Sequence, residues 1–298
     1  FLEDDNKTIR FSSNLPQHAT IVFSLDPPVG DIFEVIGDTG NAFDSFYVKS
    51  VSKSAYEETV RPGITFQLSA STMPYVLTPN SSTNPTSFSL NTASWLEREA
   101  GDLDSAADPS FVGKKISNMF FYKNRLGFLS EENVIFSGAG DYFRFFPKTV
   151  TTVLDDGPID VTASHTKVSK LTHAIPFNES LTLFSKQSQF VIENTGNLTP
   201  QTISIVPSTE FENDDEVAPV GAGNNLYFAS QKGDYSSVRE YFIEADTVMS
   251  DALEITAHVP KYVPNSLRAM ATSSNEDILF AMSDKERSKP YVYKWFTD

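Results

Sequence analysis

Apolar positions in the second half of the chain recur as short runs between turns rather than as helical stripes. Asn124-Arg125-Leu126-Gly127-Phe128-Leu129-Ser130 is echoed by Glu179-Ser180-Leu181-Thr182-Leu183-Phe184-Ser185, by Asn225-Leu226-Tyr227-Phe228-Ala229-Ser230 and by Asp277-Ile278-Leu279-Phe280-Ala281-Met282. With Leu126, Leu181, Leu226 and Ile278 equivalent, the steps are 55, 45 and 52 residues. Each run reads as a strand, and an aromatic-rich strand follows it. A strand-built period of roughly 40 to 50 residues predicts the blades of a β-propeller. Leucine at helical spacing is scarce, so the fold class is all-β.

The predicted first blade holds Met119–Tyr122, Leu126–Leu129, Val134–Phe136 and Tyr142–Phe146. The second holds Leu171–Ile175, Leu181–Phe184, Phe190–Ile192 and Thr202–Val206. The third holds Val217–Val220, Leu226–Ala229, Val238–Ile243 and Glu254–Ala257. The fourth holds Leu267–Ala271, Ile278–Met282 and Tyr291–Phe296, without a final strand. Lys123-Asn124, Asn178-Glu179 and Gly223-Asn224 supply the hairpin tips, because such residues tolerate positive φ.

Upstream, Ala19–Leu25 and Asp31–Ile36 are apolar runs around a Pro27-Pro28-Val29-Gly30 turn, and Gly37–Asn41 marks another turn. Phe46, Val48 and Val51, then Ile64, Phe66 and Leu68, alternate as strands do. The expectation is a small antiparallel β-domain over residues 1–99, a connector over 100–110, and at least four propeller-like modules over 111–298. Thr78–Ser89 is rich in Pro, Ser and Asn and reads as a loop or arm, and Ser94–Arg98 as one helical turn.

Composition narrows the function classes. The 298 residues are 40% hydrophobic and include 24 Phe, ample for real cores. No run approaches the ~18 apolar residues of a membrane helix. Cysteine is absent, which excludes disulfide staples, thiolate metal sites and a Cys nucleophile. The chain lacks an initiator Met, which suits an internal portion of a longer protein, or a trimmed one. Its net charge is −16 and only Lys114-Lys115 approaches a basic cluster, so tight nucleic-acid binding is not expected.

Candidate chemistry is thin. Asp155, Asp156 and Asp160, with His165 nearby, offer paired carboxylates for hydrolysis or a cation, or else an inter-blade turn whose Asp side chains accept backbone N–H bonds. Glu210, Glu212, Asp214, Asp215 and Glu216 lack the internal Gly of a calcium loop and read as a solvated acidic loop. His18, His165, His173 and His258 show no ligand spacing, and no Gly-x-Ser-x-Gly elbow or phosphate loop occurs. Tyr142–Phe146 serves either as a base-stacking platform or as filling between blades. Arg125, set among apolar neighbours, is expected to pair with Asp141. No catalytic, cofactor or metal residue is assigned.

The stretch Phe111–Ser130, continued by Glu132–Ile135, Gly140–Phe143, Phe146-Pro147 and Asp155–Val161, resembles the nozzle (tail tubular protein B) family of short-tailed bacteriophages. Ser71–Pro74, Ala100–Asp104 and His258–Asn265 carry the same resemblance, which runs from about residue 40 to the end. It implies a non-enzymatic virion tail protein with no cofactor. Such a protein assembles as a hexameric ring, docks the tail adaptor and tail fibres, and conducts double-stranded DNA during ejection without binding it tightly. The rivals are a propeller glycosidase and a carbohydrate-binding propeller acting on surface polysaccharide. An Asp-box for the former is missing, and Arg numbers only eight.

Overall fold

A computed structural model describes residues 2–3, 8–10, 28–36, 46–52, 55–167, 169–193, 196–244 and 249–295. Strands dominate them. The first sheet holds β1 (Leu2–Glu3), β2 (Thr8–Arg10), β3 (Ile32–Ile36), β4 (Phe46–Ser52) and β5 (Ala55–Thr59) in chain order. It is mixed rather than purely antiparallel, because β2 and β3 run parallel. Phe33, Val35 and Val48 form its small core. The predicted run Ala19–Leu25 and turn Gly37–Asn41 lie outside the described residues.

A two-stranded ribbon follows, β6 (Tyr75–Pro79) with β7 (Phe88–Thr92). The polar segment read as a loop is therefore the tip of a hairpin, and its two ends are strands. Ile64, Phe66 and Leu68 form no strand; they follow the Pro62-Gly63 turn as irregular backbone, and the Phe66 carbonyl accepts from Arg98 N. Ser94–Arg98 is not helical either. Leu96 N donates to Phe143 O (3.0 Å) and Arg98 N to Phe66 O (2.7 Å), so this segment is held extended by distant partners.

Four separate sheets fill the rest. The first holds β8 (Asn118–Tyr122), β9 (Arg125–Ser130), β10 (Asn133–Phe136) and β11 (Ile159–Thr162). The second holds β12 (Leu171–Phe177), β13 (Ser180–Ser185), β14 (Gln189–Ile192) and β15 (Ile205–Thr209). The third holds β16 (Val220–Ala222), β17 (Asn225–Lys232), β18 (Tyr235–Ile243) and β19 (Ser250–Glu254). The last holds β20 (Leu267–Ser273), β21 (Ile278–Ser283) and β22 (Tyr291–Lys294). Each is an antiparallel meander. Its tight turns use the expected backbone: Lys123 and Asn124 have φ of 44° and 59°, and Asn178 and Glu179 of 45° and 63°. Some predictions fail here: the strands expected at Thr202–Val206, Val217–Val220 and Glu254–Ala257 lie instead at Ile205–Thr209, Val220–Ala222 and Ser250–Glu254. Tyr142–Phe146 is irregular, and Ile159–Thr162 supplies the fourth strand of the first meander.

Consecutive sheets pack face to face. Leu129, Val134 and Phe136 of the first meet Leu171, Leu181 and Phe190 of the second. Phe184 of the second meets Leu226, Phe228 and Tyr241 of the third. Tyr227, Ala229 and Val238 of the third meet Met270, Leu279 and Ala281 of the last. The outer face of the first sheet is covered too, since Leu126, Phe128 and Ile135 lie under Met73, Trp95, Phe111 and Phe145. Each fully buried large side chain contributes about 1.5–3 kcal/mol relative to exposure.

Gly127 shows how tight this packing is. It sits opposite Phe120 across the β8–β9 ladder, and the Phe120 ring occupies the space a β-carbon would need. Gly127→Ala is expected to destabilise the protein by about 1–3 kcal/mol through overpacking, read as a lowered urea midpoint. An unchanged midpoint would show that Phe120 moves aside freely.

Candidate functional site

Arg125 is a fully buried charged side chain in the repeats, at 1% exposure. It does not meet Asp141. Its guanidinium instead donates to four backbone carbonyls: Ser137 O (2.7 Å), Gly157 O (2.5 Å), Asp155 O (2.8 Å) and Leu198 O (3.1 Å). Those carbonyls belong to the end of β10, the turn before β11 and the β14–β15 loop. One planar fork thus fixes the first sheet's long connection and ties it to the second sheet. Burial lowers the guanidinium pKa and the nearby Asp156 pushes it back up. Asp141 pairs with Arg144 Nε at 2.8 Å instead.

The Asp155–Asp160 carboxylates are not brought together. Asp156 faces Lys148 at 3.4 Å. Asp160 accepts from Ser110 N (2.7 Å) and Asn133 Nδ2 (3.2 Å), fastening the end of the connector to the first sheet. His165 Nε2 lies 3.4 Å from Glu210, on the far side of the turn. The segment is a turn within the first sheet, leading from β10 into β11, and not the turn between sheets that the sequence suggested.

The acidic run is less solvated than its composition suggests. Asn213 and Asp214 are only 4% and 5% exposed. Asn213 N donates to Lys186 O (2.9 Å) and Asp214 N to Ala229 O (2.7 Å), so the loop is strapped between the second and third sheets. Asp214 also accepts from Gln231 Nε2 (3.1 Å) and Glu216 N (3.2 Å). Glu210 pairs with Lys167 at 2.5 Å. Among the described residues no three His, Asp or Glu side chains converge as metal ligands. His173 is held below the ordinary His value by burial, with Asp215 and Asp214 opposing.

Tyr142–Phe146 packs as core. Phe145 stacks on Phe128 with ring centroids 4.9 Å apart, and Phe143 meets Trp95 edge-on at 5.3 Å. Phe146 lies beneath the Arg98 guanidinium at 4.7 Å. Arg98 is a second buried fork that the sequence did not disclose. It reaches Asp108 at 2.5 Å and Asp102 O at 3.0 Å, which folds the acidic connector back on itself. Burial raises the Asp102 carboxyl, but hydrogen bonds from Ser105 N, Ser105 Oγ and Asp104 N outweigh it and leave it below its ordinary value.

Six of the eight arginines are therefore committed. Arg98, Arg144, Arg239, Arg268 and Arg287 each face a carboxylate, and Arg125 faces carbonyls. Against a net charge of −16, this arrangement offers phosphate groups little to hold. What the geometry provides is rigid inter-sheet fastening.

The profile of a family described as bacteriophage nozzle protein matches residues 13–298, beginning well before the stretch where the sequence resemblance is clear. The tail tubular protein gp12 of Escherichia phage T7 is 34% identical over 270 residues, covering 90% of this chain and 34% of that protein. The chain thus spans about a third of the length of the curated relative it matches. Among solved structures, Kluyveromyces lactis Hsv2 gives a TM-score of 0.39 at 10% identity, covering 67% of this chain and 51% of that one. PorZ of Porphyromonas gingivalis gives 0.22 at 12% identity, covering 73% and 36%. Scores this low establish no shared fold.

Two outcomes follow from the buried forks. Arg125→Met leaves buried carbonyls without donors and is expected to cost about 3 kcal/mol or more. Arg125→Lys is expected to rescue little, because an ammonium cannot span four acceptors. Thermal unfolding of both variants checks this, and a Lys variant as stable as wild type would refute the fork. Because folding depresses the Asp102 pKa, its stabilisation is complete above the unfolded value of 3.8 and fades as pH falls through that value towards the lower, folded one. Asp102→Asn is expected to flatten the acid side of the Tm–pH curve, and an unaltered acid limb would contradict it.

Proposed function

Because this chain belongs to the bacteriophage nozzle protein family, we propose that it forms part of the wall of a viral tail conduit. Several copies, six by the family resemblance, assemble as a ring through which double-stranded DNA leaves the particle. The ring docks the tail adaptor and tail fibres on its outer surfaces. The role is structural rather than catalytic.

Family membership is the observation that carries this reading, and the physical arrangement supports it. Four meanders stacked face to face make a stiff unit, and their first strands β8, β12, β16 and β20 lie side by side. That placement supports a propeller-like arrangement about a common axis, with residues 100–110 linking it to an N-terminal β-domain. The outward face of the last sheet, with Phe280, Met282 and Val292 exposed, is where a further sheet would continue the series. DNA passes because arginines engaged by carboxylates do not displace counterions from phosphate, so the wall guides the duplex without retaining it.

Imaging of the full-length protein, alone and with its adaptor, is expected to show end-on rings of sixfold symmetry. A stable monomer under both conditions overturns the proposal. Filter binding of duplex DNA at physiological salt is expected to show no retention tighter than about 10⁻⁶ M. Tight, salt-sensitive binding would indicate a basic bore and sink the passive-wall mechanism.

A further inference from the structure

The β6–β7 ribbon is chemically unlike the rest of the chain. From Pro62 to Leu96 the sequence contains no Asp, Glu, Lys or Arg, although 21% of all residues are charged. The register of the ribbon sorts its side chains by face. Tyr75 pairs with Thr92, Leu77 with Leu90 and Pro79 with Phe88, which places five apolar side chains on one face. The other face carries Val76, Thr78, Ser89 and Asn91. The apolar face is open to solvent: Leu77, Phe88 and Leu90 are 60%, 58% and 64% exposed.

The ribbon is nonetheless well built. Its base is anchored where Met73, Ala93 and Trp95 enter the core above the first repeat sheet. Its tip is held by Asn80, whose Oδ1 accepts from Thr86 N (3.0 Å) and whose Nδ2 donates to Thr86 Oγ1 (2.9 Å). Two strands with an uncovered apolar face gain little in water, so such a ribbon is stable when something covers it. Its chemistry selects the occupant. A polyanion finds no cation here and a basic protein finds no acid. Copies carrying a net charge of −16 repel one another, so contact between them is favoured where the surface is uncharged.

We propose that the ribbon's Tyr75/Leu77/Phe88/Leu90 face is the element by which one copy of this chain grips a second copy. This deepens the ring reading and rests on it. In a ring the contact is heterologous, so each copy gives its ribbon to one neighbour and receives the ribbon of the other. The ordered tip means that little conformational freedom is lost on docking.

The test compares three full-length proteins by native mass spectrometry and sedimentation. The first is wild type, the second Leu77→Glu/Leu90→Glu on the apolar face, and the third Thr78→Glu/Ser89→Glu on the opposite face. All sites are solvent-exposed, and circular dichroism verifies the fold. The apolar-face variant is expected to raise the concentration for half-assembly by about tenfold or more, with the control close to wild type. Replacing Phe88 with photoreactive p-benzoylphenylalanine in the assembled protein is expected to give subunit–subunit adducts. Assembly of the apolar-face variant at wild-type concentrations overturns the inference while leaving the ring intact. So do adducts formed only with another tail protein, or co-flotation of wild type, but not of the apolar-face variant, with vesicles of phosphatidylethanolamine and phosphatidylglycerol. A wild-type protein that never assembles removes the ring reading itself, and this inference with it.

Discussion

The structure of the repeats depends on one constraint: the central strands of the first three are buried on both faces. Every residue of Arg125–Ser130 is buried, as are Leu181–Ser185 and Leu226–Ser230. A sheet of that kind cannot leave either side to water, so each such meander requires a neighbour above and below. The first is closed by Trp95, Phe111 and Phe145, the second and third are covered by their neighbours, and the last covers the third while its own outward face stays open. Stacking is therefore a consequence of composition, and stiffness is a consequence of stacking. A wall element needs that property more than it needs a pocket.

Polar groups inside the stack fasten it. Ser117 and Asn118 donate to the carbonyls of Leu171 and Thr172 across the first interface. Tyr122 Oη donates to Glu179 O on the same interface. Ser208 meets Tyr241 across the second, and Thr272 Oγ1 donates to Gly221 O across the third. Each hydrogen bond adds modestly, but each would leave an unsatisfied group if its sheet slid. The carboxylates that suggest chemistry or a cation in sequence serve the same purpose: Asp160 and Asp214 receive backbone or amide donors and hold connections in register.

Much of the fold was legible in the chain because local signals agree. Apolar runs bounded by Lys123-Asn124, Asn178-Glu179 and Gly223-Asn224 located most strands within a few residues, since two-residue turns with positive φ admit few residue types. The misses have one cause. Tyr142–Phe146 alternates like a strand, and Ser94–Arg98 has helix-compatible residues, yet tertiary partners decide both. Phe145 is drawn onto Phe128, and Leu96 N is claimed by Phe143 O. The burial of Asn213 and Asp214 was hidden for the same reason, because the strap to Lys186 O and Ala229 O joins elements far apart in sequence. The amphipathic faces of the ribbon become visible only once the pairing register of β6 with β7 is known.

The Arg125 fork has an evolutionary corollary. Its acceptors are main-chain oxygens of Ser137, Asp155, Gly157 and Leu198, which every residue type possesses. The guanidinium itself makes no demand on the side chains at those four places, whereas the arginine has no equivalent replacement. Covariation between homologues would therefore be blind to this fastening, and purifying selection would register at a single column of an alignment.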